Sequence, residues 1–233
     1  MSAAVFYFSF RSPYSWLGYR DLLAHHPDVA AAVQWRPFWE PEAELLRRLE
    51  KSGESFPYVD MSRPKALYIL QDVRRLALRR GLSPRWPVDR RPRWEVAHLA
   101  YLAARRLDAG PQFIDAVYRA RWEQGRDISD PEVVGAVGGQ VGLDPHVLAT
   151  AADDPRLRTE GLDALRAIAR DGVFGVPFFI AGRDKFWGVD RMADFVAALG
   201  HQPSAASAGL DSTMDDHAQL EAAADLGHAG GCG

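Results

Sequence analysis

One cysteine, Cys232, is the whole thiol content of the chain, so neither a disulfide framework nor a cysteine metal cluster is available within it. Lysine is nearly as scarce. Lys51, Lys65 and Lys185 stand among 28 basic residues, so arginine carries the positive charge, an arginine- and alanine-rich bias that suggests a bacterial, GC-rich genome. Against 31 acidic residues this leaves a formal net charge of -3, which argues against a general nucleic-acid binder. No apolar run is long enough to span a bilayer and no stretch has the form of a signal peptide, so the chain is expected to be cytoplasmic, with no membrane partner. None of the histidines, including His25, His26, His98 and His146, stands at ligand spacing from a partner carboxylate, and no metal is expected. No internal repeat is evident.

With 233 residues and 47% hydrophobic content, the chain can build one large domain or a core with an insertion. Residues 5–10 are aromatic and β-rich and read as a buried strand. They run into Ser12-Pro13, an N-cap followed by proline at the first helical position, where the missing N–H costs nothing. A helix is predicted over residues 13–25. Its free N–H groups and positive dipole end converge at Ser12 and favour an anion such as a thiolate. Residues 30–38 alternate and read as the second strand of a βαβ unit. From Glu42 the spacing is helical, with helices predicted over 64–80, 94–107, 111–123, 130–141, 145–152 and 157–170. Leu67, Leu70, Val73 and Ala77 are expected to share the apolar face of the first of these. In the stretch from Arg126 to Asp130, Asp127 and Ser129 read as turn and cap residues before the next helix. Val176-Pro177 opens a further strand, a place that suits a cis bond, and residues 178–181 pair with 184–187 across Gly182-Arg183 before a closing helix over 190–199. Asp190 reads as the N-cap of that helix.

Ser12-Pro13-Tyr14-Ser15, with its aromatic lead-in, occupies the place of the CxxC motif of DsbA-type thioredoxin folds and resembles the SPYS signature of 2-hydroxychromene-2-carboxylate isomerases and kappa-class glutathione transferases. Gly175-Val176-Pro177 and Gly188-Val189-Asp190-Arg191 resemble the family's other signature segments. The resemblance covers roughly residues 4–199 and implies an α/β fold, a DsbA-type thioredoxin-like domain with an inserted all-helical domain. On that plan residues 1–39 and 158–199 form the thioredoxin-like part, 40–157 the helical insertion, and 200–233 a linker, a short helix and a cysteine-containing tail.

The resemblance further implies that Ser12 holds a thiolate, that the Val176 backbone beside a cis Pro177 pairs with the cysteinyl unit of glutathione, and that Asp190 and Arg191 hold its γ-glutamyl end. Arg11, Tyr14, Trp16, Trp39 and Trp187 are expected to bind thiol or substrate, Tyr14 as a donor to a developing oxyanion and the tryptophans as the walls of a flat apolar pocket. Serine at both cysteine positions excludes disulfide redox chemistry there. Relatives usually carry an acidic residue where Ser9 stands and an asparagine in a Phe-Pro-x-Asn segment, where this chain has Trp86-Pro87-Val88-Asp89; Arg11 before Ser12 is a further departure. The arginines of residues 85–93, interleaved with tryptophan in a proline-rich loop expected to overhang the site, suit an anionic substrate or an acidic carrier domain.

The sequence ends Gly230-Gly231-Cys232-Gly233, the same chemical end as glutathione. The expected activity is cis–trans isomerisation of a conjugated alkene by reversible thiol addition, with Cys232 as the thiol and no cofactor. The alternatives are a glutathione-dependent 2-hydroxychromene-2-carboxylate isomerase or kappa-type glutathione transferase, and a non-catalytic thioredoxin-fold binding module. The expected partner is a small conjugated substrate, free or delivered on an acyl carrier protein, and a homodimer is compatible with the reading.

Overall fold

Four consecutive residues, Val5–Phe8, are buried on both faces and form strand β1 at the heart of the sheet, which is why the sequence there is a continuous apolar run rather than an alternation. The computed structural model describes residues 4–57, 61–90 and 92–200. Helix α1, Pro13–His25, follows β1. A short helix α2, Pro27–Ala32, then returns the chain to β2, Gln34–Pro37, which lies parallel to β1 with Val5 opposite Gln34 and Phe8 opposite Pro37. The expected strand over 30–38 is thus half as long. Pro27 at the first helical turn and the alanines that follow favour helix, and the Trp35 indole N–H closes back onto the Ala30 carbonyl at 3.1 Å.

Among the described residues six helices separate β2 from the last helix before the hairpin: α3 Ala43–Lys51, α4 Arg63–Arg79, α5 Glu95–Arg106, α6 Gly110–Tyr118, α7 Pro131–Gln140 and α8 Pro145–Ala149. A π-helical turn, Arg119–Glu123, prolongs α6, and a 3-10 turn, Ala151–Asp153, leads to α9, Pro155–Arg170. Three of these starts are Asp-Pro: the Asp130, Asp144 and Asp154 carboxylates accept the N–H groups of Glu132, His146 and Arg156 at 2.9, 2.8 and 2.6 Å. Ser129, expected as a cap, instead donates its N–H to Asp127 Oδ1 at 2.9 Å and accepts the Arg93 N–H through its hydroxyl at 2.9 Å.

The centre of this layer is α5, buried from Glu95 to Ala104. It is crossed by α9 at Gly161, where a Cβ would lie 2.6 Å from Leu99 Cδ2. On α4 the expected apolar face is divided. Val73 and Ala77 are buried, whereas Leu67 and Leu70 are exposed, because the helix docks on α1 through Asp72, Val73, Ala77 and Arg80; Arg80 clamps Asp21 with two bonds of 2.7 and 2.6 Å.

Strands β3, Phe178–Ala181, and β4, Asp184–Trp187, form the expected hairpin, β3 antiparallel to β1, giving the sheet order β2-β1-β3-β4. A 3-10 turn, Val189–Arg191, precedes α10, Met192–Gly200, whose Phe195 stacks on Phe179 at 4.9 Å. Among the described residues no helix is long and apolar enough to cross a membrane. The expected tail helix and Cys232 lie outside the described residues.

Candidate active site

Because Tyr7 lies opposite Phe178, the end of β1 and the entrance to β3 come to the same end of the sheet. After β1 the chain turns through Ser9-Phe10-Arg11 into Ser12, and side chains from the helical layer hold this turn. The Ser9 carbonyl accepts the Ser12 N–H at 3.1 Å and the Tyr118 hydroxyl at 3.2 Å, and the Phe10 carbonyl accepts the Trp122 indole N–H at 3.0 Å. The Phe10 N–H donates to His98 Nε2 at 3.2 Å. His98 Nδ1 lies 2.7 Å from the Trp94 carbonyl, which fixes the neutral tautomer with its proton on Nδ1. Complete burial, with the Arg121 cation nearby, drives the imidazole pKa down from 6.5 to about 3, so it stays an acceptor.

Ser12 caps α1 in extended geometry (φ -83°, ψ 118°), its Oγ accepting the Ser15 N–H at 3.1 Å. Its hydroxyl hydrogen and the Tyr14 N–H find no acceptor among the described residues, so two donors remain at the positive end of the helix. The Val176–Pro177 bond is cis. Pro177 packs on α1 at Gly18, where a Cβ would lie 3.5 Å from its ring, and the Pro177 carbonyl accepts the Gly188 N–H at 3.0 Å. That bond ties the Val189–Arg191 turn to the proline loop. The Val176 N–H and carbonyl are without partners among the described residues, an open backbone edge beside α1.

Arg11 pairs with Glu40 and lies over the Trp94 ring at 5.3 Å. Arg121 lies 5.1 Å from Trp94 and 5.0 Å from Trp122, and is held by two bonds of 2.9 Å to Asp89. Trp122 stacks on Trp16 and meets Trp86 at right angles, 5.5 Å between ring centres, while its carbonyl accepts the Arg85 N–H at 2.8 Å. The proline-rich loop is therefore seated on this column, beside the start of α1.

Several expected roles change. Trp16 is fully buried and Trp39 is 1% exposed, so both belong to the core and not to the wall of an open pocket. Trp39 stacks on His98 and points its indole N–H at Glu95 Oε1, 3.4 Å away. The Tyr14 hydroxyl is committed to Asp72 at 2.9 Å, and burial together with that carboxylate raises its pKa well above the usual phenol value; its hydrogen is not free for an oxyanion. Asp190 does not cap α10. It lies inside the Val189–Arg191 turn, exposed, with Arg191 3.7 Å away. Trp187 is partly exposed and covers the Gly175 backbone and the Phe174 ring, next to Val176.

The residues that sequence reasoning missed are the buried polar ones. Glu95 accepts the Glu42 N–H at 2.6 Å, and burial raises its pKa. Its signal, like that of His98, is a lone polar residue in the otherwise apolar run of α5. A depression of about 480 Å³ lined by Gln34, Arg36 and Arg105 lies toward the start of β1 and β2, the opposite end of the sheet from Ser12. Among the described residues no His, Asp, Glu and Cys side chains gather in a metal-holding group of three.

A model of the DSBA-like thioredoxin domain matches residues 4–200. The chain is 30% identical over 196 residues to a 2-hydroxychromene-2-carboxylate isomerase of Sphingobium xenophagum, covering 82% of this chain and 94% of that one. It is 24% identical over 206 residues to human glutathione S-transferase kappa 1, covering 82% and 88%. A solved structure of a 2-hydroxychromene-2-carboxylate isomerase superposes with a TM-score of 0.66 at 19% identity, over 96% of this chain and 98% of the other. With a strand, a serine-capped helix and a proline-opened hairpin in the places those matches require, the chain belongs to the DsbA-like thioredoxin-fold family, in the group of 2-hydroxychromene-2-carboxylate isomerases and kappa-class glutathione transferases.

Proposed function

We propose that the chain is a glutathione-dependent cis–trans isomerase of a conjugated carbonyl compound, of the 2-hydroxychromene-2-carboxylate isomerase type. The observation that carries this reading is the pair of donors without an acceptor among the described residues at the start of α1, the Ser12 hydroxyl and the Tyr14 N–H, together with the Val176 backbone edge, also without a partner among them, whose neighbour Pro177 packs on the same helix at Gly18. The donor set fits the cofactor. An open N–H and carbonyl on one residue match a peptide-like cysteinyl unit as a short β-bridge, and a helix N-terminus with a free hydroxyl matches a thiolate. Bound there, glutathione would supply a thiolate nucleophile for reversible addition to an electron-poor double bond, the chemistry that cis–trans isomerisation of a conjugated alkene needs.

The rest is work of the chain itself. Ser12 donates its hydroxyl hydrogen to the sulfur and lowers the thiol pKa from its usual value of about 8.5. His98, Tyr118 and Trp122 hold the 9–12 turn so that this hydroxyl keeps its place. Asp190 and Arg191, exposed on the turn bonded to Pro177, are the groups that would meet the charged γ-glutamyl end. Serine at positions 12 and 15 leaves no disulfide to form there.

The test is isomerisation of a conjugated oxo acid, followed by ultraviolet absorbance, for the intact chain and for Cys232→Ser, with and without added glutathione. Both proteins are expected to be active only with glutathione. Activity of the intact chain without any added thiol, lost in Cys232→Ser, would replace this reading with one in which Cys232 is the nucleophile.

A further inference from the structure

The side chain of Arg11, one residue before the cap, is only partly used. A single nitrogen, Nη1, meets Glu40, while Nε and Nη2 have no partner among the described residues. The ion pair is weakly held, since the Arg11 and Glu40 side chains are 40% and 33% exposed and water screens them. The guanidinium plane is nevertheless oriented, because it rests over the Trp94 ring at 5.3 Å. Trp94 is itself fixed: it occupies the N-cap position of α5, its carbonyl holds His98, and Arg121 lies over its ring. Arg121 offers no competing charge, because both terminal nitrogens are taken by Asp89. One cation at the start of the site thus has an oriented fork, unused donors and an exchangeable partner.

We propose that Arg11 is a carboxylate-binding residue of the active site, releasing Glu40 to take a carboxylate of the reactants in a two-bonded fork on the Trp94 platform. This rests on the function proposed above and adds its charge specificity. Two carboxylates qualify, that of a conjugated oxo acid and that of the glycine end of glutathione. Glu40 is the internal stand-in for either, so it competes with the ligand.

The experiment is equilibrium binding by calorimetry and tryptophan fluorescence, with benzylidenepyruvate, its methyl ester, S-methylglutathione and the C-terminal amide of S-methylglutathione as probes. Arg11→Gln is expected to weaken one acid probe by about tenfold while its neutral counterpart binds as before; which acid is affected identifies the source. Arg11→Lys is expected to recover only part of the loss, because an ammonium lacks the fork. Glu40→Gln is expected to tighten the same acid several-fold by removing the competitor. Unchanged affinity of both acids in Arg11→Gln, with the wild type binding them, overturns the role of Arg11 and leaves the proposed function standing. Failure of the wild type to bind either acid overturns both.

Discussion

Acidification from pH 7 to pH 5 is expected to destabilise the protein through His98, the residue that holds the turn into Ser12. Its folded pKa of about 3 lies far below the ordinary 6.5, because the fully buried ring has no water to solvate a charge and the Arg121 cation lies nearby. The folded pKa is depressed, so below pH 6.5 the unfolded chain takes up a proton that the native chain refuses. The associated stability is complete above 6.5 and falls by about 1.4 kcal/mol per pH unit toward pH 3. Between pH 7 and pH 5 this amounts to about 2 kcal/mol, or roughly 4–8 °C in Tm for a domain of this size. Glu95, whose pKa burial raises, acts in the opposite sense over the same interval, so a single melting curve does not isolate the histidine. The difference between the wild type and His98→Gln does: glutamine supplies an acceptor for Phe10 and a donor for Trp94 but does not titrate. Urea unfolding at both pH values should show the wild type losing about 2 kcal/mol more than the variant. Equal losses in the two proteins would refute the assignment of a neutral, structurally essential imidazole.

Asp89→Ala leaves the Arg121 guanidinium, 3% exposed, without its counter-ion, and should cost about 3 kcal/mol in chemical denaturation, the low end for a broken buried pair because Asp89 itself is a quarter exposed. Gly161→Ala places a methyl 2.6 Å from Leu99 Cδ2 and should lower stability by about 1–3 kcal/mol, with α9 pushed off α5; an unchanged Tm would mean that Leu99 moves aside freely. Tyr14→Phe removes the bond to Asp72 and should cost about 1 kcal/mol in stability while leaving turnover within about twofold; a hundredfold fall in kcat would return the phenol to the chemistry.

The parts of this fold that were legible in the sequence are those fixed by neighbours in the chain. Ser12-Pro13 specifies its own helix start, and Gly182-Arg183 between the apolar Phe178–Ala181 and the half-polar Asp184–Trp187 specifies its own hairpin. The Asp-Pro starts at Pro131 and Pro145 are legible to within a residue, whereas α9 begins at Pro155, two residues before the Leu157 that the apolar period marks, and the alternation around Val33 and Trp35 hides α2. Long-range pairing was not legible at all. Nothing local ties Tyr14 to Asp72, 58 positions away, or Phe10 to His98, 88 away, yet these contacts decide that one phenol is occupied and that one histidine is neutral. A large aromatic side chain serves a core and a binding surface equally well, so the sequence alone makes Trp16 and Trp39 candidates for pocket walls, and only the packing of α1, α5 and the π turn places them in the core.

The central claim is that the free Ser12 hydroxyl stabilises a thiolate, and the most direct measurement is the thiol pKa of bound glutathione, titrated by thiolate absorbance near 240 nm in the wild type and in Ser12→Ala. The account predicts a bound thiol ionising at least about one pH unit below its usual value of about 8.5 in the wild type and returning toward that value in Ser12→Ala. The fold should survive, with a loss of about 0.5–2 kcal/mol from the missing cap. A bound thiol that ionises at the same pH in both proteins, with isomerisation undiminished in Ser12→Ala, would contradict it.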